Sequence, residues 1–168
     1  MNQPARSDPR GFFFGAGDGG FYRRPFPLKA DGQKKTMRRE IIEVPVISEA
    51  IRRLGAPTSA LARAGDLLFT CGMPPIDLKT GEIVTGDIET RTRASMEALD
   101  AALRHAGSSL DAVVKATIFV TDPALMAGVN AVYRTYFKHG FPARTSTAIK
   151  PWPLPFDIEI ECVAVLEG

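Results

Sequence analysis

The segment from Asp157 to Leu166 alternates strictly between two sets of side chains. One set is wholly apolar: Ile158, Ile160, Cys162, Ala164 and Leu166. The other begins with three acids, Asp157, Glu159 and Glu161, and ends in two valines. Because successive side chains of a strand point to opposite faces, this pattern predicts a strand that buries only one face. The acids on the second face are read equally well as solvated charge or as a functional carboxylate.

The rest of the chain supplies further strands and two helices. The predicted strands are Ala60–Ala64, Leu67–Gly72, Val113–Val120 and Arg144–Ile149, followed by Asp157–Leu166. The first two are joined by Gly65-Asp66, a dipeptide suited to a two-residue hairpin turn. The helices are Asp87–His105, with Asp87 as cap and Gly107 just past its end, and a second one that begins at Asp122-Pro123. The order β-β-α-β-α-β-β without a glycine-rich phosphate loop predicts an α+β fold with two helices against one sheet.

The basic residues are concentrated at the start of the chain. Residues 1–40 carry a net charge of +5 and the remainder −3, within a total of +2. Residues 1–40 are glycine- and proline-rich and lack apolar periodicity, so we expect a disordered or artefactual basic tail and a single folded domain at residues 41–168. That domain opens with Ile41–Val46, at best an edge strand because of Pro45, and with one or two helical turns at Ser48–Leu54.

Several classes of site are excluded by composition. Neither His105 nor His139, the two histidines, has a Cys or carboxylate at metal-ligand spacing, and Walker A, G-x-S-x-G and C-x-x-C motifs are absent. Cys71 and Cys162 lie 91 residues apart in strand-like segments, which favours buried free thiols in a reducing, cytoplasmic compartment. No stretch approaches the roughly 18 apolar residues of a membrane span. An enzyme of this composition works with arginine, carboxylates and backbone groups.

Five short motifs, in order, make the sequence recognisable. They are Gly65-Asp66-Leu67-Leu68-Phe69-Thr70-Cys71-Gly72, Asp77-Leu78-Lys79-Thr80-Gly81, Val129-Asn130-Ala131-Val132-Tyr133, Phe141-Pro142-Ala143-Arg144-Thr145 and Ile158-Glu159-Ile160-Glu161. Each motif alone is weak, but together, at matching intervals, they are specific. From about Gly55 to Leu166 the chain resembles the RidA (YjgF/YER057c/UK114) family.

The resemblance implies a chorismate-mutase-like α+β subunit, with one mixed sheet against two helices, in a homotrimer with clefts at its interfaces. It also implies hydrolysis of reactive 2-imino or enamine acids to 2-keto acids and ammonia, without a cofactor or metal. Arg144 matches the family arginine that pairs with the substrate carboxylate, and Glu159 the glutamate that positions water. Gly72, Asn130 and Ser146 match positions that line the pocket. A bidentate guanidinium suits a carboxylate, and an acceptor near the C=N carbon suits water.

One position departs from the family pattern. Family members that act on imino acids commonly carry a tyrosine where this chain has Thr58, after Ala56-Pro57. We therefore treat Thr58 as a pocket position that alters the accepted imine, and a larger unsaturated amine such as aminomuconate remains an alternative substrate. A non-catalytic protein that binds a small carboxylate through Arg144 is a second alternative. The family is also described as endoribonucleases, but the charge of −3 on the body opposes nucleic acid as a partner.

Overall fold

A computed structural model describes residues 38–167, so most of the predicted tail at residues 1–40 lies outside the described residues. The strands are β1 Arg39–Ile42, β2 Leu61–Ala64, β3 Leu67–Thr70, β4 Val113–Val120, β5 Ala143–Ala148 and β6 Ile158–Val165. The helices are α1 Ile47–Arg53, α2 Ile88–His105 and α3 Met126–Tyr133. Three 3₁₀ turns cover Leu110–Ala112, Pro123–Leu125 and Arg134–Tyr136.

The six strands form one sheet in the order β1-β2-β3-β6-β4-β5. Only the pair β4–β5 is parallel, and the other neighbours are antiparallel. The expected α+β fold with a mixed sheet is therefore confirmed. The bounds of the edge strand were wrong: β1 ends at Ile42 instead of reaching Val46, and it includes Arg39 and Glu40 of the predicted tail, because these two residues pair with Ala64 and Arg63 of β2. The last strand, β6, lies between β3 and β4, so it forms the middle of the sheet.

Local signals at the helix ends act as the sequence predicts. Asp87 caps α2 by accepting a hydrogen bond from the Thr90 amide at 2.8 Å, and Gly107 takes a positive φ of 80° beyond its end. Asp122 accepts from the Ala124 amide at 2.8 Å. The second predicted helix, however, is not continuous, because α3 is flanked by 3₁₀ turns on both sides.

One face of the sheet carries the core. β6 buries Ile158, Ile160, Cys162 and Ala164 while the alternate residues stay partly exposed, which confirms the predicted alternation. The helices cover this face. The sequence predicted two helices against the sheet, but the short α1 is a third, since Ile47, Ala50 and Ile51 are also buried in the core. The opposite face of the sheet carries exposed apolar side chains instead: Ile41, Leu67, Phe69 and Val165.

The two cysteines differ in burial, although the sequence predicts that both are buried. Cys162 is buried, Cys71 is half-buried, and both are free thiols. Over residues 38–167, none of the helices combines the length and apolar character that a membrane crossing needs.

Candidate active site

Arg144 lies on the exposed edge strand β5 and reaches toward α3. It is paired with Ala116 of β4, a buried residue of the core face, so its side chain starts on the helix-covered side of the sheet. Its Nη2 donates to Asn130 Oδ1 at 2.8 Å. Its guanidinium carbon lies 4.8 Å from the centre of the Tyr133 ring. An amide and an aromatic face therefore hold the guanidinium in one orientation.

A cavity of about 460 Å³ opens beside this arginine. Its lining residues are Asn130, Tyr133, Arg134, Phe141 and Arg144. Of the two aromatic residues, Phe141 is 67% exposed and Tyr133 is buried. Positive charge, one amide and two aromatic rings form a lining that suits an organic anion.

Glu159 lies on β6, on the other face of the sheet. It is paired with Phe119 of β4 and is half-buried. Burial, followed by the charge of Glu161 two residues along the same face, raises the pKa of the Glu159 carboxyl to about 7. A carboxyl with this pKa exchanges a proton readily near neutral pH, which is a property of general acids and bases.

Gly72 leaves room for this carboxylate. A Cβ at position 72 would lie 2.5 Å from Glu159 Oε2, closer than van der Waals contact allows. Only glycine at position 72 allows the Glu159 carboxylate to lie against the backbone there, and the pocket role expected for Gly72 stays a prediction.

The structure separates the two expected catalytic residues within one chain. Their β4 partners, Ala116 and Phe119, are three positions apart, and an odd spacing along a strand means opposite faces. Arg144 and Asn130 form one cluster, and Glu159 and Gly72 form another. Neither member of the second cluster lines the 460 Å³ cavity.

The other two predicted site residues are peripheral in the single chain. Ser146 is exposed on β5, opposite Ile118 and on the same side of the sheet as Arg144, but it does not line the cavity. Thr58 is exposed in the loop before β2, where its amide donates to the Ala56 carbonyl at 2.9 Å. Thr58 contacts neither cluster through a described hydrogen bond.

Sequence reasoning missed three residues that line the cavity: Tyr133, Arg134 and Phe141. Tyr133 and Arg134 follow Asn130 by three and four positions, the spacing that places helical side chains on one face. This spacing could have identified them as neighbours of Asn130 in the site. Burial raises the pKa of the Tyr133 hydroxyl to about 12, so it stays protonated at neutral pH although the nearby Arg144 opposes the shift. Within residues 38–167 this buried hydroxyl has no hydrogen-bond partner.

Other chemistries have little support in the described part of the chain. Residues 38–167 hold no group of three His, Cys, Asp or Glu side chains arranged to bind a metal ion. Burial raises the pKa of both thiols, Cys71 and Cys162, to about 12, so neither is a thiolate at neutral pH.

Comparison with protein-family models matches residues 49–166 to the family described as endoribonuclease L-PSP, the family that also carries the RidA and YjgF names. The chain belongs to the RidA family. The resemblance expected over Gly55–Leu166 is confirmed over almost the same span. RidA membership accounts for the α+β topology.

Curated RidA-family relatives match over most of the folded region. A RutC family protein of Pyrococcus horikoshii is 43% identical over 111 residues, which cover 66% of this chain and 88% of that protein. Reactive Intermediate Deaminase A, chloroplastic, of Arabidopsis thaliana is 34% identical over 131 residues, 78% of this chain and 68% of that protein. The second name supports a deaminase-like role for the RidA-type domain of this chain.

Solved structures of the same family share the fold. A Rid-family protein of Yersinia pestis has a TM-score of 0.69 at 35% identity, over 77% of this chain and all of that one. A putative endoribonuclease of Thermotoga maritima has a TM-score of 0.63 at 42% identity, over 67% and 89%. Escherichia coli TdcF, solved with bound serine, has a TM-score of 0.62 at 31% identity, over 67% and 90%.

Proposed function

We propose that this protein is a cofactor-free deaminase that hydrolyses reactive 2-imino or enamine acids to 2-keto acids and ammonia. The observation that carries the proposal is the Arg144 guanidinium, oriented by Asn130 and Tyr133 at the edge of the 460 Å³ cavity. Within residues 38–167 no carboxylate lies within 4.0 Å of it, so its charge is available to an anionic ligand. The Arabidopsis relative named as a deaminase supports the same reading.

Arg144 supplies the binding step. Nη2 donates to Asn130, and the remaining N–H groups of the guanidinium donate to the substrate carboxylate in charge-assisted hydrogen bonds. Fixing the carboxylate also fixes the adjacent C=N carbon, because only one bond separates them. Positioning accounts for much of the acceleration of a reaction whose substrate is already electrophilic.

Glu159 supplies the water step. Its carboxylate takes a proton from water as the oxygen adds to the C=N carbon, and the nitrogen is protonated to give a carbinolamine. The hydroxyl proton then passes to the amino nitrogen, the C–N bond breaks with loss of ammonia, and a keto group remains. One imine and one water become one keto acid and one ammonia, without any change of oxidation state. The pKa of about 7 suits a group that accepts and returns a proton.

Assembly as a homotrimer is part of the proposal, since one chain holds Arg144 and Glu159 on opposite faces. Ile41, Leu67, Phe69 and Val165 are each 37–40% exposed on the face that carries Glu159. Such exposed apolar residues are typical of a surface covered by another copy. Packing of that face near the Arg144 edge of a neighbouring copy would complete the site, and light scattering on the full chain tests the trimer.

A larger unsaturated amine is the second candidate substrate. The 460 Å³ cavity falls within the range of about 300–1,000 Å³ that drug-sized ligands occupy, which exceeds the needs of a three- or four-carbon imine. Thr58 is smaller than the tyrosine that is common in the family at this position, which also favours a larger substrate. Turnover of aminomuconate alongside small imines distinguishes the two substrates.

We also propose a cytoplasmic location, on the ground that both cysteines are free thiols. The relatives include a Schizosaccharomyces pombe protein named as mitochondrial and the Arabidopsis protein named as chloroplastic. Imaging of the tagged full chain tests the location, and an organellar signal would contradict it.

One assay tests the proposed activity. An amino-acid oxidase generates 2-iminopropanoate or 2-iminobutanoate in situ, and keto-acid formation is followed with and without the protein. Acceleration that Arg144→Ala abolishes and Arg104→Ala retains supports the deaminase, because Arg104 is exposed on α2 and paired with Asp100. No acceleration, with tight 2-ketobutyrate binding in calorimetry, would indicate a non-catalytic binding protein. RNA cleavage that survives Arg144→Ala would indicate a nuclease.

A further inference from the structure

A second arginine lines the same cavity as Arg144. Arg134 immediately follows the last residue of α3, and its Nε donates to the Asn130 carbonyl oxygen at 3.1 Å. Asn130 also accepts the bond from Arg144 through its side-chain oxygen at 2.8 Å. One residue therefore holds both guanidinium groups, through its backbone and through its side chain.

The hydrogen bond at the helix end uses only one nitrogen of the Arg134 guanidinium. An arginine that donates to a carbonyl in the last turn of a helix is favourable in its own right. That contact uses Nε, whereas the exposed side chain also lines the cavity beside Arg144. Within residues 38–167 no carboxylate lies within 4.0 Å of Arg134. The cavity thus has two cationic groups and no acid among its lining residues.

We propose that the preferred substrates are 2-imino dicarboxylic acids, the imines of acidic amino acids. This inference rests on the proposed function and specifies its substrate class. Arg144 binds the carboxylate next to the imine carbon, and Arg134 binds the distal carboxylate. Tyr133 and Phe141 contact the carbon chain between them. Water adds to the C=N carbon and ammonia leaves as before, while both carboxylates remain unchanged.

Charge favours the dicarboxylate over an imine with an apolar side chain. A distal carboxylate gains a charge-assisted bond from Arg134, whereas an apolar side chain leaves that guanidinium with only water and the Asn130 carbonyl. Because a hydrogen bond to a charged group contributes about 1.5–3 kcal/mol, we expect at least a roughly tenfold preference in kcat/KM.

The test compares two imines that differ in the distal carboxylate. Suitable oxidases generate 2-iminosuccinate from aspartate and 2-iminopropanoate from alanine, and dehydrogenases report oxaloacetate and pyruvate. Arg134→Gln should lower kcat/KM for 2-iminosuccinate about tenfold more than for 2-iminopropanoate. Lys138→Gln is the matched control: it removes the same charge from an exposed residue outside the cavity lining and should leave the ratio unchanged. An Arg134→Gln effect that is equal on both imines overturns the inference.

A binding measurement separates this inference from the proposed function. If no imine is hydrolysed faster, the deaminase proposal fails, and calorimetry with oxaloacetate and pyruvate still tests the two-arginine site. Tighter binding of oxaloacetate by the unaltered protein, lost in Arg134→Gln and kept in Lys138→Gln, supports a two-arginine site for dicarboxylates. Equal affinity for both keto acids contradicts it.

Discussion

Arg144 and Glu159 are separated by a single strand, β4, yet project from opposite faces of the sheet. Their partners on β4 are Ala116 and Phe119, and only the first belongs to the buried face. A water molecule held by Glu159 therefore lies on the other side of the sheet from a substrate held by Arg144 of the same chain. The proposed homotrimer would supply the two residues of one site from two copies.

This relationship predicts complementation between two inactive variants. Arg144→Ala and Glu159→Gln should each be inactive alone. Mixed assemblies formed by co-expression should recover about a quarter of the wild-type activity, because random mixing leaves that share of sites with both native residues. Keto-acid formation from 2-iminopropanoate measures the recovery. No recovery in demonstrably mixed oligomers would show that both residues act within one chain or that one of them is dispensable.

The acidity of Glu159 predicts the pH dependence of the reaction. Its pKa is raised to about 7, and only the ionised form accepts a proton from water. Activity should therefore fall as the pH drops through about 7 and reach a plateau above it. Replacement of Glu161 by Gln removes the neighbouring charge that contributes to the shift, so it should move the midpoint to lower pH. A profile that is flat from pH 5 to 8, after correction for uncatalysed hydrolysis, would contradict a base role for Glu159.

The close approach at Gly72 predicts that even a methyl group is harmful there. Gly72→Ala would place Cβ at 2.5 Å from Glu159 Oε2, so the carboxylate must move. We expect kcat to fall about tenfold or more, since small displacements of catalytic groups are costly. In a Glu159→Gln background the same substitution should have little further effect, because residues that act together are not additive. If the double variant loses kcat by the product of the two single losses, Gly72 has a role unrelated to Glu159.

The stacking of Tyr133 under Arg144 predicts a loss of substrate affinity when the ring is removed. With a guanidinium-to-ring distance of 4.8 Å, the contact contributes about 1 kcal/mol, so Tyr133→Leu should raise KM about fivefold. Tyr133→Phe keeps the ring and removes a buried hydroxyl without a described partner, so it should retain a near-normal KM. If Tyr133→Phe is as impaired as Tyr133→Leu, the hydroxyl rather than the ring is the important group.

The ion pair between Arg91 and Asp157 predicts a contribution to stability. The two side chains meet at 2.9 Å, are each only 21% exposed, and join α2 to the residue that precedes β6. Arg91→Gln leaves Asp157 largely unpaired, and we expect the free energy of unfolding to drop by about 1–3 kcal/mol in denaturant titrations. Arg104→Gln, which breaks the more exposed pair with Asp100, serves as the control and should barely shift the midpoint. Similar shifts in both variants would mean that burial does not strengthen the first pair.

Local features of the fold were predictable because they depend on neighbouring residues. Gly65-Asp66 forms the hairpin turn, Asp87 caps α2, and β2 to β6 begin and end within two residues of the predicted bounds. The end of the second helix was less predictable. Arg134–Tyr136 continues the apolar spacing of α3 but forms a 3₁₀ turn, and helix propensity alone does not distinguish this turn from a further turn of α-helix.

The candidate site was predictable as a set of residues but not as an arrangement. The motifs indicated Arg144, Asn130, Gly72 and Glu159, and the structure brings them together as two pairs. The alternation of side chains along β6 placed Glu159 on the uncovered face, because the residues on either side of it, Ile158 and Ile160, are apolar and belong to the core face. β5 offers no such signal: all six of its residues are exposed, so its sequence does not indicate which face Arg144 takes.

The periodic elements, the caps and turns, the free thiols and the family could all be predicted from the sequence, because each depends on residues a few positions apart or on motifs kept in order. Three features emerge only in the folded chain: β6 lies between β3 and β4, Arg144 and Glu159 face away from each other, and Arg134 lines the cavity. These depend on the pairing of strands distant in the chain, where a shift of one residue exchanges the two faces of a strand.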